Sequence, residues 1–414
     1  MATIPFENKK IILGVTGSIA AYKAAELASR ITQAGGSVTA ILTDSGTKMV
    51  SPLTFAAVSG QKAYTDSDLW SDKEYVPHIF LARQADLLVI APATANIIAK
   101  LAHGIANDLL SVTTLAYGNG TSEKPLIIAP AMDGGMYLND ATQDNIAILQ
   151  KRGAIIVGPE EGHLASGMAA RGRMTEPDDI FARLRYLLSR SGELKGKQVV
   201  VTAGGTREPI DPVRMISNRS SGKQGYAIAQ EALDRGADVT LISAPTCLNP
   251  PFAATCVKVN TAEEMKGEVL NLCGKADALI MAAAVSDFTV SNSSKDKIKR
   301  KEGKLSLKLV PTDDILMQVA LARKKNHKPD IVIGFAAETR DLIRNAGQKL
   351  AEKDLDLIVA NDISGKSTGF EVDKNQVTML IKGGEKIEYP VMSKEEVAIK
   401  VIDQLVNHLK LGQG

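Results

Sequence analysis

The chain has 414 residues, 44% of them hydrophobic and 23% charged, which is more than one hydrophobic core usually organises and reads as two domains. Its 49 basic and 47 acidic residues leave a formal charge of +2, a balance that argues against nucleic acid or an anionic membrane and for small molecules as partners. The 3 cysteines lack CxxC spacing, and no apolar run has the length of a membrane span or a signal peptide, so a reduced, cytoplasmic protein is expected.

Aromatic residues make up only 4%, so the core must be aliphatic, and its continuous runs favour buried parallel strands. In chain order, KKIILGVTGS (9–18) reads as a strand entering a tight turn, residues 19–36 as a helix with a glycine stop, and SVTAILT (37–43) as the next strand. The turn around Gly14, Gly17 and Ser18 offers N–H groups, a hydroxyl and a helix dipole to a phosphate, although an ordinary strand-to-helix turn has the same look. It is not GxGxxG, and Thr43, rather than an acid, opens the polar run after the second strand, so no NAD ribose site is expected. VPHIFLARQAD (76–86) places His78 in a loop leading to a strand, with Arg83 five residues on. The strand in ADLLVIAPAT (85–94) ends at Thr94, with Asn96 just beyond. APAMDGGMY (129–137) then stops another apolar run, where Asp133 is either chemistry or the polar residue that lets a buried strand turn.

The same grammar returns in the second half. GKQVVVTAGGT (196–206), a long loop, a helix over 222–237 and the strand DVTLIS (238–243) form another βαβ unit, and ADALIMAAAV (276–285) echoes ADLLVIAPAT. Each half therefore has a candidate pocket where apolar strands end at small residues. The polar segment 189–197 places the boundary near residue 190, with domains over 1–190 and 191–414.

GVTGSIAAYKAAEL, HIFL, APATANIIAKLAHGIANDLL and PAMDGGMY resemble the flavin-dependent cysteine decarboxylase family. TAGGTREPIDPVRMISNRSSGKQG (202–225) resembles phosphopantothenate–cysteine ligases, and end to end the chain resembles the bacterial bifunctional coenzyme A biosynthesis proteins. For the first half the resemblance implies a flavodoxin-like sheet and FMN with its phosphate near Gly17 and Ser18, contacted by Thr43, Thr94 and Asn96. It implies His78 as the catalytic histidine, Arg83 and Met132 as substrate contacts, and sites lying between subunits. The chemistry needs a flavin because the carboxylate of a cysteine amide has no electron sink. Hydride removal from the thiol-bearing carbon creates one, carbon dioxide departs, and the electrons return to the enethiol.

Two positions depart from the family pattern. Asp133 stands where the family has asparagine: an amide donates to a substrate carboxylate, whereas an ionised Asp only accepts. Three alternatives follow: Asp133 is protonated, Arg83 neutralises the site, or Asp133 binds another group such as an amide N–H. Ser166, in GHLASGMAARGRM (162–174), stands where many relatives carry a proton-donating cysteine on a flap, and serine is the weaker acid.

For the second half the resemblance implies a Rossmann-like ligase that activates 4′-phosphopantothenate with CTP as an acyl-cytidylate, from which cysteine displaces CMP. Lysines and Mg²⁺ are the expected neutralising charges, with no metal ligands assigned. Asn218 and Arg214 match contacts to substrate and intermediate, Asp287 a cytidine contact, and Lys297, in the basic loop 291–304, the triphosphate-binding lysine. Asp313, Asp314, Ile315, Leu316, Phe335, Lys349 and Lys353 match further nucleotide contacts, Asp313 replacing the family's proline. Lys349 and Lys353 are four apart, so a helix is expected to turn both toward phosphate. Relatives imply trimeric decarboxylase and dimeric ligase contacts in a homo-oligomer. An active ligase with a weak decarboxylase half, and a flavoprotein that only binds, are the other readings the resemblance leaves.

Overall fold

Apolar runs without alternation become the central strands of two sheets, as burial on both faces requires. The computed structural model describes residues 5–70, 76–118, 120, 124–299, 306–338, 341–362 and 374–411, and divides the chain into two units, 3–188 and 189–414. The end of the basic loop, residues 300–304, lies outside the described residues.

The first unit runs β1 (Lys10–Val15), α1 (Ala21–Gln33), β2 (Ser37–Leu42), α2 (Asp44–Thr47), α3 (Pro52–Ser59), β3 (Tyr64–Thr65), α4 (Pro77–Gln84), β4 (Leu87–Ala93) and α5 (Ala95–His103). It continues through α6 (Leu109–Tyr117), β5 (Leu126–Pro130), α7 (Gly134–Leu138), α8 (Asp140–Lys151), β6 (Ile155–Ile156), β7 (Glu160–His163), β8 (Ala169–Arg173) and α9 (Pro177–Ser189). The sheet has 6 strands in the order β3-β2-β1-β4-β5-β6, all parallel, and β7 and β8 form a separate antiparallel hairpin. Alternate strand residues feed two cores. Leu13 and Val15 pack with Leu27 of α1 and Phe55 of α3, while Ile12 and Ile90 pack with Ile97 of α5 and Leu110 of α6. Each fully buried aliphatic side chain contributes about 2 kcal/mol.

The second unit runs β9 (Gln198–Ala203), β10 (Arg207–Pro209), β11 (Met215–Ser217), α10 (Lys223–Asp234), β12 (Asp238–Ser243), β13 (Thr255–Lys258), α11 (Ala262–Cys273), β14 (Ala278–Met281), β15 (Phe288–Val290) and β16 (Leu309–Pro311). There follow α12 (Ile315–Asn326), β17 (Ile331–Glu338), α13 (Leu342–Glu352), β18 (Leu357–Asp362), β19 (Lys374–Asn375), β20 (Val377–Ile381), β21 (Lys386–Glu388), β22 (Met392–Ser393) and α14 (Lys394–Leu411). Its main sheet, β13-β12-β9-β14-β17-β18-β20-β21, is parallel up to β18 and antiparallel beyond. Both units are thus α/β with mainly parallel sheets. Strand order reverses beside β1 in one sheet and beside β9 in the other, which opens a crevice beyond the strand ends.

Two local expectations change. The first helix begins at Ala21 rather than Ile19, because Ala21 N–H closes a turn onto the Ser18 carbonyl. His78 lies not in a loop but in the first turn of α4, where Pro77 presets the helical φ and Val76 takes the left-handed cap position. Among the described residues no helix is long and apolar enough to cross a membrane.

Candidate functional site

A cavity of about 380 Å³ opens beyond the carboxyl ends of β1, β4 and β5. Buried Thr16 joins the first two strand ends, its hydroxyl donating to the Pro92 carbonyl at 2.7 Å and accepting from Thr94 N–H at 3.1 Å. This turns Gly17 and Ser18, at the entry to α1, toward Thr94 at the cap of α5. A Cβ on Gly17 would lie 2.5 Å from Ser45 Cβ, so glycine is what lets this turn pack against the start of α2. Both helices aim N–H groups and dipole at it, and the site fits a phosphate-bearing cofactor.

The opposite wall is the stretch after β5, covered by the hairpin β7–β8. Met132 N–H donates to the Gly172 carbonyl at 3.0 Å, and a Cβ on Gly134 would meet Ala170 at 2.6 Å, so the hairpin uses the room that the small residues leave. At its tip Ser166 Oγ donates to Asp133 Oδ2 at 2.7 Å, while Asp133 Oδ1 accepts from Gly135 N–H at 2.9 Å and caps α7. The Ser166 hydroxyl first, and then the Gly135 N–H, hold the Asp133 carboxyl below its ordinary value. Asp133 is therefore both a turn residue and a functional candidate, and it is ionised at neutral pH. A depressed folded value means that the carboxylate's favourable contacts are complete above the ordinary range and are lost as pH falls through the lowered one. Any reaction at this site should accordingly show the same pH dependence in the native chain and in Asp133→Asn from about pH 6 to about pH 9. A native rate that falls with rising pH while the Asn variant holds would show Asp133 working protonated.

Sequence reading missed a cation pair on this wall. Lys23 is buried on α1 and donates to both Glu176 oxygens at 2.9 and 2.8 Å, and Arg173 of the hairpin binds the same carboxylate. Burial and then the charge of Arg173 push the Lys23 ammonium below its ordinary value. The available signal was a lysine one helical turn from Leu27, on the buried face of α1.

Of the predicted residues, the cavity gathers Gly17, Ser18, Thr94, Met132, Asp133 and Ser166. Thr43 is spent capping α2, 3.2 Å from both Gly46 N–H and Ser45 Oγ, and Asn96 is exposed in the first turn of α5. His78 and exposed Arg83 lie on α4 and do not line this cavity, while His78 Nδ1 is buried without a partner among the described residues.

A second cavity, about 310 Å³, lies beyond β14 and β17 at the N-terminus of α10. It gathers Asn218, Asp287, Phe335 and Lys349. Asn218 Nδ2 donates to the Val285 carbonyl at 3.0 Å, tying the long loop after β9 to the loop after β14. Thr312 N–H and Oγ1 donate to the Asp287 and Ser286 carbonyls at 2.9 and 2.6 Å, which brings residues 313–316 to the same loop.

The remaining predicted residues stand outside the lining. Arg214 donates to Asp211 at 3.2 Å and to the Ile298 carbonyl at 3.2 Å, so it anchors the basic loop beside exposed Lys297. The buried Asp211 carboxylate stays below its ordinary value: burial raises it, but N–H groups of Val213, Arg214 and Ile298 more than offset that. Asp313 pairs with Lys266 at 2.7 Å, Ile315 is core, and Leu316 packs against that core. The four-residue spacing of Lys349 and Lys353 does not turn both toward the cavity. Lys353 is the C-cap of α13 and pairs with Asp314 at 2.8 Å, since the helix ends before its last turn is complete. Among the described residues no cluster of three His, Cys, Asp or Glu could hold a metal ion.

Fold and cavities define an α/β protein of two units, each with a pocket beyond the carboxyl ends of its parallel strands. The family described as Flavoprotein matches residues 4–189, and DNA/pantothenate metabolism flavoprotein C-terminal domain matches residues 194–409. The chain is 44% identical over 401 residues to the Coenzyme A biosynthesis bifunctional protein CoaBC of Bacillus subtilis (strain 168), covering 96% of this chain and 97% of that one. It is 41% identical over 400 residues to the protein of that name from Haemophilus influenzae, covering 96% and 97%. Among solved structures, the C-terminal domain of a CoaBC matches with 40% identity and a TM-score of 0.46, over 53% of this chain and 99% of that one. The chain belongs to the family of bifunctional coenzyme A biosynthesis proteins.

Proposed function

We propose that residues 189–414 join 4′-phosphopantothenate to cysteine using CTP, and that residues 3–188 decarboxylate the product to 4′-phosphopantetheine with FMN. The observation that carries the reading is that each half has a cavity at a strand-order reversal lined by several family-matched residues: Gly17, Ser18 and Thr94 in the first, Asn218, Asp287 and Lys349 in the second.

In the ligase the substrate carboxylate attacks the α-phosphorus of CTP and pyrophosphate leaves; the cysteine amine then displaces CMP from the acyl group. The N-terminus of α10, where the Gly222 and Lys223 N–H groups make long contacts of 3.4 and 3.5 Å to the Ser220 and Ser221 hydroxyls, and the ammonium group of Lys349 neutralise phosphate charge, while the amide of Asn218 faces the acyl phosphate without adding a negative charge. Asp287, a carboxylate lining this cavity, would hold Mg²⁺ brought in with the nucleotide, which would supply further neutralisation of phosphate charge.

In the decarboxylase, Gly17, Ser18 and Thr94 would hold the flavin phosphate, and the hairpin tip places Ser166 beside Asp133 at the solvent-exposed rim of the cavity. The flavin, when bound, supplies oxidation of the thiol-bearing carbon and the later return of the electrons. Ser166 delivers the last proton from solvent, with Asp133 orienting its hydroxyl. His78 and Arg83 fit a site completed by a second copy of the chain, consistent with their distance from this cavity; trimeric contacts in the first unit and dimeric contacts in the second extend that reading, with the enzyme in the cytoplasm.

The test is a coupled assay with the purified chain, CTP, cysteine and 4′-phosphopantothenate. Pyrophosphate and carbon dioxide should appear in equal amounts. Pyrophosphate without carbon dioxide refutes the decarboxylase half, and no pyrophosphate refutes the ligase half.

A further inference from the structure

A chain of amides crosses the second unit and ends in its cavity. Gln224 Nε2, in the first turn of α10, donates to the Lys394 backbone carbonyl at 3.0 Å, and Asn375 Nδ2 of β19 donates to Gln224 Oε1 at 3.1 Å. The direction is forced from one end. A backbone carbonyl only accepts, so Gln224 turns its NH₂ toward Lys394 and its oxygen toward Asn375. Asn375 must then donate to Gln224, and its own Oδ1 is left over.

That oxygen has no partner among the described residues, on a side chain only 4% exposed that lines the cavity. Among the described residues Asn361 Oδ1, on β18, is also buried without a partner in the cavity wall; Asn361 pairs with Val377, two residues beyond Asn375. Buried carbonyl oxygens without donors are unfavourable until a ligand supplies the N–H or O–H. Phosphate oxygens only accept, so this wall is mismatched to the triphosphate, which suits the N–H groups at Gly222 and Lys223. Within the nucleotide, only the nucleoside portion carries donors.

We propose that Asn375 reads a hydrogen-bond donor on the nucleoside of the nucleotide, a base amine or a ribose hydroxyl, and that Gln224 is the positioning residue that keeps its oxygen turned to the cavity. The inference rests on the nucleotide assignment under Proposed function.

The test is titration calorimetry of the full chain with CTP, UTP, 2′-deoxy-CTP and 3′-deoxy-CTP, for wild type, Asn375→Ala and Gln224→Leu. Asn375→Ala should weaken CTP about tenfold, the effect of one lost buried hydrogen bond. The nucleotide lacking the donor should bind the variant at least as tightly as it binds wild type: UTP if the base amine is read, one deoxynucleotide if a hydroxyl is. Gln224→Leu, which leaves Asn375 in place but frees its amide to rotate, should shrink the wild-type preference for CTP over that same nucleotide. Equal weakening of all four nucleotides, no weakening, or full discrimination by Gln224→Leu overturns the proposal. Wild type that binds no CTP overturns the nucleotide reading itself, and this inference with it.

Discussion

Asn218→Asp should lower CTP-dependent conjugation by at least about a hundredfold while decarboxylation of supplied 4′-phosphopantothenoylcysteine stays unchanged. The substitution keeps the shape of the side chain and reverses its chemistry. Asn218 Nδ2 now donates to the Val285 carbonyl, and a carboxylate in its place faces that carbonyl with acceptors only. The same side chain lines the cavity assigned to phosphate groups, where like charges about 4 Å apart repel by roughly 1 kcal/mol in water and about 4 kcal/mol at an effective dielectric near 20. Together with the lost donor, a hundredfold is a conservative expectation at 1.4 kcal/mol per tenfold. Pyrophosphate release measures the first effect and carbon dioxide release the second. Wild-type conjugation by the variant would remove Asn218 from the reaction, and loss of both activities would mean that the two sites are not independent.

Gly17→Val should abolish flavin retention, with affinity for added FMN down by about a hundredfold or more and conjugation intact. Even a single Cβ at residue 17 would crowd Ser45 Cβ at 2.5 Å, and a β-branched side chain adds atoms where the turn meets α2. The loops must part, and the N–H groups that converge on a phosphate lose their common focus. Overpacking of this kind also costs about 1–3 kcal/mol of folding stability, which a urea titration reads separately from the flavin absorbance. A variant that keeps its flavin at wild-type affinity would place the phosphate elsewhere.

Much of this was legible along the chain because it depends on local pattern. The runs that became β1, β4, β9 and β14 are apolar without alternation, and only a strand buried on both faces accepts such a run. Small residues at their ends marked where backbone comes close to a ligand, and both cavities lie there. Composition and motif order were enough for two α/β domains, and the motifs for the family; of the residues that the family resemblance singled out, Gly17, Thr94, Asn218 and Lys349 are among those that line the cavities, while His78, Arg83 and Lys297 are among those that do not.

What needed the tertiary structure was every role set by a partner distant in sequence. Nothing near Asp133 announces Ser166, 33 positions away, whose hydroxyl donates to that carboxylate and lowers its value further. Lys349 and Lys353 have helical spacing, yet where α13 stops, and where Asp314 lies, decide that only Lys349 reaches the cavity. Gln224 and Asn375 are 151 residues apart, and each alone is an ordinary amide. Periodicity reports which face of an element is buried; it carries no information about which group another element brings to that face, because hydrogen bonding and charge act through space while pattern is read along the chain.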